Sequence, residues 1–178
     1  AQYYEAVQLF DKSLEYPIDR EIVAAANFWK GEAYSVGKKY EEAINAYAGV
    51  FRILNDQRRL EGMNEMYFLK SRYGIGYAYY NTKEYVKARE HFEAYIREIE
   101  QKSGGSPSGK LNYEDALIRL ADTYYVSKNY AQAISTYDKA IRLNNPDAGY
   151  AYYQKGVIQG IQGNTSDALA SLDVVIDR

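Results

Sequence analysis

The fold is decided by the stretch at residues 31–47, GEAYSVGKKYEEAINAY. A small residue, Gly31, is followed by Tyr34 and Tyr40, then by Ala43 and Tyr47. The same spacing recurs in two further copies, Gly76, Tyr79, Tyr85, Ala88, Phe92 and Ala121, Tyr124, Tyr130, Ala133, Tyr137. A weaker copy is Gly156, Gln159, Thr165, Ala168, Leu172, and the back half of another is Tyr3, Ala6, Phe10. Such self-similarity predicts a stacked array of helices.

Each residue type in the copy has a physical reason to be there. A small residue in one helix, such as Gly31, and an alanine in the next, such as Ala43, let the two backbones approach closely. The tyrosines fill the space that remains between the helices. Breakers within the copies lie at 37–39, 81–83, 127–129 and 163–164, and those between copies are Tyr16-Pro17 and Asn145-Pro146.

In this spacing the chain resembles the tetratricopeptide repeat family over essentially its whole length. The resemblance implies an all-α fold, a right-handed α-solenoid of antiparallel helix pairs with about nine helices. We expect one array over residues 1–178, with a half repeat at 1–16 and repeats at about 20–55, 65–100, 111–145 and 147–178. Because the chain starts within a repeat and ends without a capping helix, it is expected to be a fragment of a longer bacterial-type protein. Its apolar ends invite end-to-end self-association.

Two steps between copies are longer than one family unit. In the first, the helix-forming residues between Asn55 and Met66 predict longer helices. In the second, Gly104 to Gly109 predicts a flexible loop. Gly104 to Lys110 also fits a phosphate-binding loop through its lysine, but Leu111 stands where a Ser or Thr is needed and no strand precedes the loop. A phosphate site is therefore not expected.

Composition restricts the function more than it specifies it. With 178 residues, of which 47% are hydrophobic and 26% charged, the chain has enough apolar material for a folded core. A net charge of −2 without a basic cluster argues against nucleic acid as a partner. No apolar stretch is long enough for direct membrane insertion. The compartment stays open between the cytoplasm and the periplasm or cell envelope.

Nothing in the sequence indicates catalysis. Cysteine is absent, which removes thiolate nucleophiles and cysteine-based zinc sites. His91 is the only histidine, and we expect it to be a solvated surface side chain, because catalytic and metal sites need several convergent groups. The sequence therefore predicts a protein that is not an enzyme, with no catalytic residue, no cofactor and no metal.

Tyrosine is the residue type that indicates a function. The chain has 21 tyrosines, which is more than the repeat signature requires. The family resemblance implies that the first helix of each pair lines a concave groove. Register from the small residues gives the predicted peptide-binding groove as Phe28, Glu32, Lys70, Tyr73, Tyr77, Tyr80, Ile118, Arg119, Asp122, Tyr125, Tyr150 and Tyr153. Tyr suits such a surface because it offers a large contact area with a polar tip. Alternatively, these tyrosines only pack against neighbouring helices.

Two functions are compatible with these features. The first is a non-enzymatic scaffold for protein–protein interaction, which binds an unidentified partner peptide or helix in the Tyr-rich groove. The family's clamp for chaperone tails is not expected, since Phe28 and Tyr73 occupy positions where it needs basic or amide side chains. The alternative is a structural or assembly component of the bacterial cell envelope. It rests on Tyr16-Pro17 and Tyr40-x-x-Ala43-Ile44, which look like the repeats of envelope-associated lipoproteins.

Overall fold

A computed structural model of the chain describes residues 2–15, 19–55, 60–102, 112–143 and 148–176. Those residues form nine α-helices and no strand. The helices are α1 (Gln2–Glu15), α2 (Arg20–Val36), α3 (Tyr40–Ile53), α4 (Gly62–Asn81), α5 (Tyr85–Lys102), α6 (Tyr113–Val126), α7 (Tyr130–Arg142), α8 (Ala148–Ile161) and α9 (Thr165–Ile176). The chain divides into two compact units, residues 1–95 and residues 96–178. The prediction of one array over all 178 residues stays a prediction.

Unit 1, residues 1–95, is built around α2, the first helix of its first complete pair. α2 packs against α1, α3 and α4, and α3 packs against α4. Phe28, Tyr47, Val50, Phe68 and Ile75 are buried together in its core. The aromatic residues that recur in the sequence therefore lie between helices, where burying them contributes most to stability.

Two glycines of unit 1 make room for the ring of Tyr47. A Cβ atom added to Gly31 of α2 would lie 2.5 Å from the Tyr47 Cδ1 atom. One added to Gly74 of α4 would lie 2.6 Å from its Cζ atom. The ring is thus held between the backbones of two first helices, which explains why the repeat needs a small residue at Gly31. Gly74 has the same role and does not belong to the repeat signature.

Unit 2, residues 96–178, repeats the arrangement with different side chains. Its core contains Ala121, Ala133, Tyr137, Ala151 and Ile158, which come from α6, α7 and α8. α6 packs against α7, α7 against α8, and α8 against α9. Each of these helices therefore contacts the one that follows it in the chain.

The two helices of each described pair are joined by a turn of the same length and backbone conformation. The four turns are residues 37–39, 82–84, 127–129 and 162–164. Their middle residues are left-handed, with φ of 57° at Lys38, 65° at Lys83, 60° at Lys128 and 81° at Gly163. The N–H of the residue after each one donates to a carbonyl of the last turn of the preceding helix, as from Lys39 to Tyr34 at 2.9 Å. The predicted breakers within the copies are thus confirmed to within one residue.

The structure tests only part of what was expected between pairs. α4 begins at Gly62 and runs for 20 residues, so the expectation of a longer helix holds there, whereas α3 ends at Ile53. Tyr16-Pro17, Asn145-Pro146, Gly104 to Lys110 and Leu111 lie outside the described residues. In the part of the chain that the structure describes, no helix combines the length and hydropathy required to cross a bilayer.

Candidate functional site

One surface feature of unit 1 is the α4 tyrosine row, defined here as Lys70, Tyr73, Tyr77 and Tyr80. These residues are three or four positions apart, so they lie on one face of α4. All four side chains are half-buried. Part of each side chain therefore faces solvent while the rest contacts the protein.

The rings of the row are held in place by their neighbours. Tyr73 stacks on Tyr77, with ring centroids 6.1 Å apart and planes at 28°. It also contacts Phe92 and Tyr95 of α5, at 6.0 and 5.7 Å. Tyr80 meets Tyr85 edge to face at 5.8 Å. A ring already fixed in this way loses little conformational freedom when it binds a partner.

Two apolar residues of the predicted groove, Phe28 and Ile118, are wrong because the structure buries them. Phe28 is 1% exposed and Ile118 is 2% exposed, so neither side chain reaches a surface. Phe28 is covered because Tyr67 of α4 packs on it, with ring centroids 5.1 Å apart. Ile118 lies among the buried residues of α6. The exposed aromatic on α2 is the next residue, Trp29, which stands edge to face against Phe28 at 5.0 Å. The sequence analysis missed Trp29.

Two acids of the predicted groove are hydrogen-bonded to buried tyrosines. The hydroxyl of Tyr47 donates to Oε1 of Glu32 at 2.6 Å, and that of Tyr137 donates to Oδ1 of Asp122 at 2.5 Å. Burial, and then the charge of Glu32, raise the pKa of the Tyr47 hydroxyl above its ordinary value. The Tyr47 hydroxyl therefore remains a protonated donor, and both acids accept hydrogen bonds from tyrosines buried between helices.

Asp122 is the centre of a polar group in unit 2, the Asp122 cluster, which also contains Arg119, Tyr137, Tyr150 and Gln154. Tyr150 donates to Oδ1 of Asp122 at 3.0 Å, and Nη1 of Arg119 lies 3.3 Å from Oδ2. Gln154 donates to the Tyr150 hydroxyl at 2.9 Å. Burial, and then the charge of Asp122, raise the pKa of Tyr150 to about 12.

Asp122 is therefore not the groove-surface residue that register predicted. It is 3% exposed, because α8 brings Tyr150 over it and α7 brings Tyr137 beneath it. Arg119 is held by Asp115 as well as by Asp122, at 3.3 Å in each case. Among the groove residues predicted in unit 2, the exposed side chains are aromatic. Tyr150 and Tyr153 are exposed, and Tyr125 is half-buried against Tyr130.

The expectation of a solvated His91 is also wrong. Its ring is half-buried and lies against Tyr79 of α4, with centroids 5.7 Å apart. Nδ1 is buried and has no hydrogen-bond partner among the described residues. Burial, and then the charge of Arg72, lower the pKa of His91 to about 4. The imidazole is therefore neutral near pH 7.

Unit 1 is expected to lose stability as the pH falls from 6.5 to about 4. In this range His91 takes up a proton in the unfolded chain, where its pKa is the ordinary 6.5, but not in the folded chain. The unfolded state then binds more protons, so the free energy of unfolding decreases as the pH falls. Urea denaturation at several pH values measures the slope. The slope should be smaller in a His91→Gln variant, and equal slopes in the two proteins would contradict the assignment.

No group of three or more His, Asp or Glu side chains that could hold a metal ion occurs within residues 2–15, 19–55, 60–102, 112–143 and 148–176. Among the acids described above, Glu32 is instead hydrogen-bonded to Tyr47, and Asp122 to Tyr137 and Tyr150. The arrangement offers aromatic contact area and hydrogen-bonding tips, and these are suited to binding another molecule.

The chain is similar to known repeat proteins in sequence and fold. Two family models, both described as Tetratricopeptide repeat, match residues 70–98 and 118–178. No curated protein sequence matches the chain. Among solved structures, BtubC (BKLC) from P. vanneervenii is 12% identical with a TM-score of 0.81, and the alignment covers 99% of this chain and 73% of that one.

Two more solved structures have a similar fold. MamA from Desulfovibrio magneticus RS-1 is 16% identical with a TM-score of 0.74, over 98% of this chain and 84% of that one. YrrB, described as a TPR protein with an unusual peptide-binding site, is 19% identical with a TM-score of 0.71, over 99% of this chain and 77% of that one. At these identities the likeness concerns the fold, and it confirms the predicted all-α class of helix pairs.

Proposed function

Because the chain belongs to the tetratricopeptide repeat family, we propose that it is a non-enzymatic scaffold that binds a partner peptide or helix through tyrosines on the first helices of its pairs. The observation that carries this proposal is the α4 tyrosine row. Its rings are partly exposed, yet they are held by Phe92, Tyr95 and Tyr85. They can therefore bury area on a partner at a small cost in side-chain entropy.

Two further observations support a role in binding. Tyr150 and Tyr153 of α8 are exposed large side chains on the same kind of helix, in the other unit. The relative YrrB is described as having a peptide-binding site, so a protein of this fold can bind a peptide. Interfaces are enriched in tyrosine because one side chain supplies both apolar area and a hydroxyl.

Replacing Tyr77 and Tyr80 together by alanine should weaken partner binding by about 2 kcal/mol or more, roughly thirtyfold in Kd. A peptide library displayed on phage and selected on the native chain supplies the ligand. Its affinity for the native and the double-mutant proteins is then measured by calorimetry. A matched control is Tyr4→Ala with Leu9→Ala on α1, where both side chains are exposed and lie outside the row. Equal affinity for the native and Tyr77/Tyr80 proteins would refute the role of the row.

The alternative, a structural component of the bacterial cell envelope, has less support. Part of the motif behind it lies in the interior of unit 1, because Ala43 is fully buried and Ile44 packs against the core. These residues are accounted for by helix packing, which any protein of this fold requires. Tyr16-Pro17 lies outside the described residues. A lipoprotein signal in the full-length gene would favour this alternative over the scaffold.

A further inference from the structure

A cavity of about 400 Å³ opens in unit 1, away from the α4 tyrosine row. Its walls come from α3, α4 and α5, and most of its lining is apolar, including Ile44, Phe51 and Phe68. Its charged group is Arg72, and His91 supplies an imidazole. None of the described residues that line it is acidic. This volume is within the range of pockets that hold small organic ligands.

Arg72 brings a positive charge to a wall that is mostly apolar. Its guanidinium carbon lies 5.2 Å from the ring centroid of Phe51 and 5.3 Å from that of Phe68. Two aromatic rings from different helices therefore fix the position of the cation. A guanidinium presents several donors in one plane and matches the two oxygens of a carboxylate.

His91 provides a second polar group in the lining of the cavity. Its Nδ1 atom is buried and lacks a partner among the described residues, although a buried polar atom is usually hydrogen-bonded. In the other copies the position of His91 is occupied by Ala46, Thr136 and Ser171. Helix packing at this position is therefore compatible with a small side chain, and it does not explain an imidazole.

We propose that the cavity binds a small apolar carboxylic acid, with its carboxylate beside Arg72 and His91 and its apolar body against Phe51, Phe68 and Ile75. The charge of the ligand complements that of the wall, and the neutral imidazole can donate to a carboxylate oxygen in the tautomer that carries the proton on Nδ1. The site is distinct from the α4 tyrosine row, so the proposal goes beyond the scaffold function and does not depend on it.

The test is a titration of the chain, without a histidine tag, with 3-phenylpropanoate, followed by the NMR signals of the imidazole. His91 is the only histidine, so its ring protons are identified directly. We expect a saturable shift of these signals. The pKa of His91, about 4 in the ligand-free chain, should rise in the complex because the bound anion offsets the charge of Arg72. No saturable shift would overturn the proposal.

Two comparisons separate the proposed site from nonspecific apolar binding. The neutral analogue 3-phenylpropanol should bind the unaltered chain about tenfold more weakly, because it lacks the charge that Arg72 recognises. Arg72→Met, which keeps most of the apolar stem, should weaken binding of the acid by a similar factor. The control Arg52→Met removes an exposed arginine outside the cavity and should have no effect. Equal binding of acid and alcohol would contradict recognition of a carboxylate.

The same chemistry could come from the end of a polypeptide. An acetylated tripeptide that ends in phenylalanine, with a free or an amidated C-terminus, distinguishes this source. If 3-phenylpropanoate binds at least as strongly as the peptide with the free C-terminus, the result supports a small-molecule site. Much tighter binding of the peptide, lost on amidation, would overturn the assignment to a small acid. None of these outcomes bears on the Tyr77 and Tyr80 test, which reports on another face of α4.

Discussion

Replacing Tyr47 by alanine is expected to lower the free energy of unfolding of unit 1 by about 4 kcal/mol. The ring is 1% exposed and fills the space between the backbones at Gly31 and Gly74. Removing it leaves a cavity between three helices, and it also leaves Glu32 without the hydroxyl that donates to it. Urea denaturation followed by circular dichroism measures the loss.

Tyr47→Phe separates the two contributions. It keeps the ring and removes the hydroxyl that donates to half-buried Glu32, so the expected loss is about 1 kcal/mol. Tyr4→Ala on α1 is a matched control for deleting an exposed tyrosine and should change stability by less than about 0.5 kcal/mol. A loss for Tyr47→Ala no greater than that for Tyr4→Ala would show that the ring does not hold the three helices together.

Asp122→Ala is expected to destabilise unit 2 by about 3 kcal/mol. The change removes the acceptor of two tyrosine hydroxyls, and the one from Tyr137 is buried. It also removes a carboxylate that lies beside Arg119. Asp122→Asn should cost less, because the amide oxygen can still accept a hydrogen bond from Tyr137. Thermal and urea unfolding of the two variants give the comparison.

A double-mutant cycle tests whether Asp122 and Tyr137 act as a pair. Tyr137→Phe removes the donor, so the further loss caused by Asp122→Ala in that background should be smaller than in the native chain. If the losses in free energy of unfolding for the two single changes simply add in the double mutant, the hydrogen bond between Asp122 and Tyr137 does not stabilise the fold. The nearby Gln154→Ala change removes only a bond to the exposed Tyr150 and serves as a control.

The helices and the turns within pairs could be predicted because they depend on local signals. Gly31, Ala43 and their equivalents mark close helix contacts, and Gly37 and Gly163 mark turns. These positions can be predicted from nearby sequence, because each contact joins helices that are adjacent in the chain. The buried rings of Tyr47 and Tyr137 follow from the same local signals.

The exposure of the candidate site could not be predicted in the same way. Register indicates the face of α2 on which Phe28 lies, but whether that face is covered depends on Tyr67, a residue of α4. The burial of His91 likewise depends on Tyr79 of α4, against which its ring lies. In both cases the volume of a side chain on another helix decides the exposure, and a repeat signature does not contain that information.

One part of the site had a sequence signal that was missed. In the two copies that end in tyrosine, Tyr47 and Tyr137, an acid directly follows the small residue of the copy. These acids are Glu32 and Asp122, respectively. Where the last residue is Phe92 or Leu172, that position holds Tyr77 or Val157. A hydroxyl between helices needs an acceptor, so the presence of an acid in only two copies could have identified both hydrogen bonds.

The fixed turn within each helix pair limits where the chain can gain or lose residues. The small residue and the second-helix alanine are equally far apart in all four copies, as in Gly31 and Ala43, because the left-handed turn between them leaves no room for an extra residue. The steps from one copy to the next differ. We therefore expect insertions and deletions to be tolerated between pairs and to be destabilising within them. The spacing inside a pair is thus a better evolutionary marker of this repeat than its period.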